Sequence, residues 1–361
     1  MSWQPPLRPE LRDAEPYGAP QLDVPVQLNT NENPYGPPEE VVADIAASVA
    51  EVAAGLNRYP DRDFAPLRAA LADYLAAESG VRVGDDQIWA ANGSNEVMLH
   101  LLQAFGGPGR VAMSFAPTYS MYPEYARDTH TGWIQGHRNE DFSFDMAHAE
   151  ELIAEHRPSV VLLPSPNNPT GTALPHKVIG RLADLIGGGV LVLDEAYAEF
   201  RRRGTPSAVE LLAEHPNLVV TRTMSKAFAA AGLRLGYLAA DPRVRDALRV
   251  VRLPYHLSSS TQAIALACLR HAPALLAQVD ALRAERDGLV AWLRTHGFEV
   301  ADSDANFVLF GRFENRHALW TRLLDHGVLV REVGPEGWLR VSIGTPAEME
   351  AFKTALEEVR P

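Results

Sequence analysis

The chain of 361 residues contains a single cysteine, Cys268. One thiol makes no intrachain disulfide. Cys268 lies in the apolar run Ala263 to Leu269, where a free cysteine acts as a small buried hydrophobe. The base and cationic setting that a reactive thiol needs are missing around it. No apolar run approaches the roughly 20 residues that cross a bilayer. Met1 to Pro9 carry prolines and no apolar core, so they do not read as a signal peptide, and a cytoplasmic location is expected. Excess positive charge is also missing: the formal net charge is −13. An acidic surface repels phosphate backbones, which argues against a nucleic-acid partner but leaves room for a local basic pocket. The twelve histidines form no HExxH pair and no Cys/His cluster, so no metal is expected. Internal repeats and long low-complexity segments are absent too.

What is present is ordinary for a globular protein, with 46% hydrophobic and 22% charged residues. The length suits two domains. Residues 1–37 are rich in proline and polar groups and read as an extended arm ending at Asn31-Glu32-Asn33-Pro34-Tyr35-Gly36-Pro37. Apolar spacing predicts helices at Glu39 to Ala54 and Phe64 to Glu78. Strands are predicted at Gln87 to Ala91, Arg110 to Phe115, Ser159 to Pro164, Val190 to Leu193, Leu218 to Arg222 and Leu235 to Ala239, with a helix at Asn95 to Phe105. The continuous apolar runs Val160 to Leu163 and Val190 to Leu193 suit a sheet covered on both faces, hence an α/β fold. After Pro254 long helices are predicted (Ser259 to Arg270, Ala274 to Arg294), then strands at Asn306 to Phe310 and Trp338 to Ile343 and a last helix at Pro346 to Val359. The expected division is an arm (1–37), a large domain (57–255) and a small domain from both chain ends (38–56 and 256–361).

Ligands of open α/β sheets sit beyond the carboxyl ends of the strands. Four groups fall at such ends. Gly93-Ser94-Asn95 follows a strand and opens a helix, a ready anion site and equally a plain helix cap. Ser165-Pro166-Asn167-Asn168-Pro169-Thr170-Gly171 is a turn that could present Asn168 to a ligand. Asp194-Glu195-Ala196-Tyr197 places a carboxylate and a phenol after an apolar strand. Asp194 could stabilise a protonated heterocycle. An ATPase reading of this acid would require a G-x-x-x-x-G-K-[ST] loop, which the chain lacks. A weak dinucleotide-like match at Gly107-Pro108-Gly109 follows a helix and precedes a strand, the wrong order. The fourth group is Thr223-Met224-Ser225-Lys226, with Arg234 in Gly232-Leu233-Arg234-Leu235-Gly236-Tyr237. A lysine held at a strand end beside hydroxyls and a cation is what attachment of pyridoxal phosphate demands.

Taken in order, these stretches resemble the fold-type I aminotransferases and, within them, the histidinol-phosphate aminotransferase family. The resemblance runs from Leu28 to Thr345 and is carried also by Leu28-Asn29-Thr30-Asn31-Glu32-Asn33-Pro34, Arg58-Tyr59-Pro60-Asp61, Pro117-Thr118-Tyr119-Ser120-Met121 and Leu339-Arg340-Val341-Ser342-Ile343-Gly344. It implies a mostly parallel sheet with helices on both faces and a smaller α/β domain. It implies pyridoxal 5′-phosphate attached to Lys226, which also shuttles the proton. Ser94, Asn95, Thr223, Ser225 and Arg234 would hold the phosphate. Tyr119 would stack on the ring, Asp194 would pair with its nitrogen, and Asn168 and Tyr197 would bond its oxygen. Tyr59 would reach the partner subunit's cofactor in a homodimer with shared active sites. Tyr17, Asn33, Arg331 and Arg340 would meet the substrate. Arg340 would take a carboxylate in one half-reaction and a phosphate in the other, with Arg331 helping.

The implied reaction, a step of histidine biosynthesis, passes nitrogen between L-histidinol phosphate and 2-oxoglutarate. An aromatic aminotransferase or a threonine-phosphate decarboxylase would share nearly all of these motifs. A cofactor-binding sensor domain is the alternative of another class, and an acidic chain with no DNA-binding module disfavours it.

Overall fold

The structure is a computed structural model and describes residues 3–359. The outermost two residues of the expected arm and of the expected small domain lie outside the described residues. The chain begins as an extended arm with the short strand β1 (Val26–Gln27), then forms α1 (Glu39–Ala53) and α2 (Ala65–Ser79). Alternating elements follow: β2 (Ile88–Asn92), α3 (Gly93–Phe105), β3 (Val111–Ala116), α4 (Tyr122–Asp128), β4 (Gly132–His137), α5 (Met146–His156), β5 (Val160–Pro164) and α6 (His176–Ile186). Then come β6 (Val190–Asp194), β7 (Leu218–Thr223), β8 (Leu235–Ala240) and α7 (Pro242–Val251). The rest is α8 (Ser259–Arg270), α9 (Ala272–Leu276), α10 (Val279–Thr295), β9 (Glu299–Val300), β10 (Phe307–Gly311), α11 (Arg316–Asp325), β11 (Val328–Leu329), β12 (Leu339–Ser342) and α12 (Pro346–Glu358).

Seven strands form the large sheet in the order β2-β8-β7-β6-β5-β3-β4. All neighbours are parallel except at β8, which runs against both β7 and β2. This matches the α/β expectation. Every residue of β5 and β6 is buried, because helices cover both faces of the sheet. The edge strand β4, Gly-Trp-Ile-Gln-Gly-His, was not expected. It is half-exposed and carries two glycines, so it lacks the apolar signal of a central strand. A smaller antiparallel sheet runs β12-β10-β9, and β1 of the arm pairs with β11.

Packing divides the chain at a place the sequence pattern hides. Val41 of α1, and Leu257, Ala265, Cys268, Ala272 and Leu275 around α8 and α9, join the core of the large sheet. Val279, Leu282 and Leu289 of α10 join the core of the small sheet with Phe307, Phe310 and Phe352. The expected single helix from Ala274 to Arg294 is therefore two, broken at Ala277-Gln278, so that each half can face its own core. Side-chain caps start several helices: Ser258 Oγ accepts the Thr261 amide at 3.0 Å, and Thr345 with Glu348 forms a capping box on α12. Burial of Cys268 in this core pushes its thiol up to about 11. Among the described residues, no helix is long and apolar enough to cross a membrane, and no three His, Cys, Asp or Glu side chains converge as a metal site requires.

Candidate active site

The parallel strands end on one side of the large sheet. The first residues of the antiparallel β8 meet them there. A cavity of about 220 Å³ opens at this edge. Ser94 and Asn95 reach it from the start of α3, Tyr119 from the turn after β3, Asn168 from the turn after β5 and Asp194 from the end of β6. Thr223, Ser225 and Lys226 reach it from the end of β7, Arg234 from the entry to β8, and Tyr197 from just past Asp194. Arg340 and Arg331 enter from the small sheet, and Tyr17 enters from the arm.

The floor is built by close backbone approach. Gly93 sits at φ +80°, and a Cβ there would press on the Arg234 guanidinium at 2.7 Å. A Cβ on Gly236 would overlap the amide of Ser94. Two glycines thus let the amino end of α3 lie against Arg234. That end offers unpaired amides and the positive pole of a helix of 13 residues. The Ser225 hydroxyl accepts from Thr223 Oγ1 at 3.0 Å and from Arg234 Nη1 at 3.5 Å. Amides, hydroxyls and a guanidinium are the donor set a phosphate needs.

Asp194 is buried and has no ion pair among the described residues. Tyr122 donates to its Oδ2 at 3.1 Å, while Thr221 Oγ1 (3.1 Å) and the Ala196 amide (3.3 Å) donate to Oδ1. Burial outweighs these bonds and pushes the carboxyl up to about 6. A buried carboxylate on a cavity, held by three donors but matched by no cation, is shaped for a cationic ligand group. Behind it, Arg222 donates to Glu195 (2.8 Å), Glu199 (3.2 Å) and Glu78 (3.0 Å), clamping β6, β7 and α2 together.

Lys226 Nζ donates to the Thr30 carbonyl at 3.0 Å. Burial chiefly, with Arg340 and Arg234 adding to it against Glu32, lowers the amine to about 8. It therefore gives up its proton far more readily than an ordinary lysine and reaches the neutral, nucleophilic form at lower pH. Tyr197 Oη accepts from Asn31 Nδ2 at 3.1 Å and Asn168 Nδ2 at 3.5 Å, and burial raises the phenol above its ordinary value. Arg340 donates to Asn168 Oδ1 at 2.6 Å and the Asn29 carbonyl at 2.8 Å, leaving a buried Nε without a partner. Tyr17 Oη lies 3.0 Å from Ser120 Oγ, and Arg331 Nη2 donates to the Gly18 carbonyl at 3.1 Å, so the arm lies across the mouth.

Two expected residues do not line the cavity. Asn33 donates its amide to the Ala227 carbonyl at 3.2 Å and so ties the arm beside Lys226. Tyr59 is 80% exposed and stacks on Tyr255 with ring centroids 4.5 Å apart. Three residues that matter were missed: Tyr122, Thr221 and Asn31. Asn31 carried a signal, since an asparagine tolerates the left-handed backbone it adopts at φ 56°. Tyr122 carried none, because its partner is 72 residues away.

Lys226 and Asp194, brought to one cavity with Arg331 and Arg340, have the chemistry that transfer of an amino group requires. The profile of the Aminotransferase class I and II family matches residues 24–356, and the chain belongs to that family. Its relatives are more particular. The chain is 61% identical to the histidinol-phosphate aminotransferase of Thermobifida fusca (strain YX), over 97% of this chain and 94% of that protein. It is 57% identical to the histidinol-phosphate aminotransferase of Bifidobacterium longum (strain NCC 2705), over 98% and 96%. Among solved structures it superposes on the Sinorhizobium meliloti histidinol-phosphate aminotransferase in complex with pyridoxal-5′-phosphate with a TM-score of 0.82, covering 93% of this chain and 91% of that one at 24% identity. A tetra mutant of Thermus thermophilus aspartate aminotransferase matches with a TM-score of 0.81, covering 97% and 98% at 26% identity. The two structural matches bear on the fold.

Proposed function

We infer that this chain transfers the amino group of L-histidinol phosphate to 2-oxoglutarate, giving imidazole-acetol phosphate and L-glutamate, with pyridoxal 5′-phosphate as cofactor. The observation that carries the substrate assignment is the 61% identity with a histidinol-phosphate aminotransferase over nearly the full length of both chains. The geometry agrees with it. When bound, the cofactor supplies the carbonyl that captures the amine and the ring that accepts electrons from the substrate carbon.

The chain's own residues divide the remaining work. Lys226 would provide the attachment amine and, once released by the substrate amine, would move the proton from the substrate Cα across the intervening nitrogen to the cofactor carbon bonded to it. Asp194 keeps the ring nitrogen protonated, and Tyr122 and Thr221 keep Asp194 ionised and aimed. Ser94, Asn95, Thr223, Ser225 and Arg234 hold the phosphate arm. Tyr119 would pack against the ring, while Asn168 and Tyr197 would hold the ring oxygen. Arg340 grips the glutamate carboxylate through a bidentate fork. It shares the substrate phosphate with Arg331 in the other half-reaction, and Tyr17 closes the site from the arm.

We further propose that the enzyme is a cytoplasmic homodimer. Leu56, Tyr59, Val250 and Leu253 leave large apolar side chains exposed near the Tyr59–Tyr255 stack, an expanse that a second copy would cover. Tyr59, outside its own cavity, is then available to the partner's site. The domains are best divided after Leu276, where the two cores part.

Steady-state assay of glutamate formation tests the substrate assignment. L-Histidinol phosphate should exceed L-phenylalanine by about 100-fold or more in kcat/KM, a difference of roughly 3 kcal/mol. A preference for phenylalanine would make this an aromatic aminotransferase. Carbon dioxide release without consumption of 2-oxoglutarate would make it a decarboxylase.

A further inference from the structure

A second cavity, about 870 Å³, lies between the edge of the large sheet and the small sheet and shares no lining residue with the first. The segment that follows β4 lines one side, the turn between β5 and α6 another, and the end of α10 with β9 a third. Phe142, Phe144, Leu174, Val178, Ala301 and Trp338 give it apolar walls. Phe142 meets Trp338 edge-on with centroids 5.1 Å apart, so this wall joins the two sheets.

Arg138 lines this cavity and is only 5% exposed. Its Nε and Nη2 are buried and have no hydrogen-bond partner among the described residues. No carboxylate forms an ion pair with it among the described residues, and its guanidinium rests 5.7 Å from the centroid of the Phe144 ring. Arg340, equally buried, also lacks a carboxylate among the described residues, but it lines the first cavity and donates to Asn168 and Asn29. The two most deeply buried arginines are matched within the chain. Arg222 meets three glutamates, and Arg286 meets Asp287 and two backbone carbonyls. Burial with no compensating charge draws Arg138 down to about 10. Three of the four acids that line the cavity are engaged elsewhere. Glu299 pairs with Arg312 at 3.3 Å, Asp302 pairs with Arg294 at 2.8 Å, and Asp141 accepts the Ser143 amide at 2.9 Å. Glu140 is exposed.

A buried guanidinium without an acceptor is costly, and an acceptor supplied from outside relieves that cost. We propose that this cavity is a second binding site, taking a small organic anion with a flat aromatic body. Its carboxylate pairs with the Arg138 guanidinium, whose buried Nε and Nη2 lack acceptors among the described residues. Its ring packs against Phe142, Phe144 and Trp338. The volume is within the range of about 300–1,000 Å³ that holds small ligands. Because both sheets contribute walls, the ligand bridges them.

Calorimetric titration of the pyridoxal-phosphate-loaded enzyme with 2-naphthoate tests this. One site per chain is expected, with 2-naphthamide, which lacks the charge, binding about tenfold more weakly or worse. Arg138→Met should weaken 2-naphthoate by at least about tenfold. Ala173→Trp, which fills the cavity from its wall, should do the same while leaving Arg138 in place and deciding the matter should Arg138→Met fail to fold. Arg340→Met, in the first cavity, should leave the site intact. Absence of binding, binding unchanged by Arg138→Met and Ala173→Trp, or binding lost only in Arg340→Met would each overturn the proposal.

Discussion

Arg331 and Arg340 exchange backbone hydrogen bonds of 2.9 Å in both directions across one antiparallel bridge, and both side chains border the cavity that holds Lys226. Directly opposed residues of an antiparallel pair share a face, and like charges placed so repel. Burial already lowers Arg340 to about 10, and Arg331 adds to this. Two cations held together at a site are relieved by an anionic substrate. Arg340→Ala is expected to lower kcat/KM by about 100–1,000-fold for both glutamate and L-histidinol phosphate, since it removes a charged bidentate contact. Arg331→Ala is expected to raise KM for the phosphate-bearing substrate about tenfold and to affect glutamate less. Steady-state kinetics with both substrates checks this, and full glutamate activity in Arg340→Ala would refute the assignment.

Tyr122 reaches Asp194 with a hydrogen bond of 3.1 Å from the first turn of α4. A hydrogen bond to a charged group is worth about 1.5–3 kcal/mol. Tyr122→Phe should therefore release pyridoxal phosphate roughly 10-fold or more faster, while leaving KM for L-histidinol phosphate nearly unchanged. Loss of the cofactor's visible absorbance during dialysis reports the rate. Equal retention in variant and parent would remove Tyr122 from the account.

Asp194 gives a stability prediction of definite sign. Its folded-state value of about 6 lies above the ordinary 3.8. The folded apoprotein thus binds this proton more tightly than the unfolded chain does. The stability this group contributes is full at acid pH and is lost as pH rises from about 4 through 6. Asp194→Asn escapes that loss. The variant apoprotein should melt a few degrees above the parent apoprotein at pH 7.5, although its transaminase activity falls by about 100-fold or more. A lower melting temperature for the variant would mean that Asp194 is already compensated without the cofactor.

As the proposed attachment residue, Lys226 must first lose a proton, and burial lowers its amine to about 8. Mixing apoenzyme with pyridoxal phosphate in a stopped-flow spectrometer should show attachment accelerating roughly tenfold per pH unit up to about 8 and levelling off above it. A rate still climbing tenfold per unit at pH 9.5 would place the amine at its ordinary value and contradict the burial argument.

The chemistry was legible where a buried strand stops at a polar residue. Val190-Leu191-Val192-Leu193 ending in Asp194 announces both a central strand and the group at its tip, and Leu218 to Arg222 before Thr223 and Lys226 does the same. What stayed hidden depends on partners far away in the chain. β4 lacks an apolar run because it lies at the sheet edge. Asn33 sits in the right motif, yet its amide is used on the backbone beside Lys226. The break between α9 and α10 interrupts no pattern in the sequence and exists because two cores pull on neighbouring turns. The guanidinium of Arg138 looks like any arginine until the fold buries its Nε and Nη2 with no hydrogen-bond partner among the described residues.

Lys226 is proposed to carry a cofactor that trades nitrogen with L-histidinol phosphate. The purified, pyridoxal-phosphate-loaded enzyme is to be followed by absorbance from the near-ultraviolet to the visible while L-histidinol phosphate is added, with L-phenylalanine as the comparison. The expected result is loss of the visible band of the lysine-bound cofactor and growth of the amine-form band, at far lower concentrations of histidinol phosphate than of phenylalanine. A shift with phenylalanine alone would contradict the substrate assignment, and no visible band after adding pyridoxal phosphate would contradict the role of Lys226.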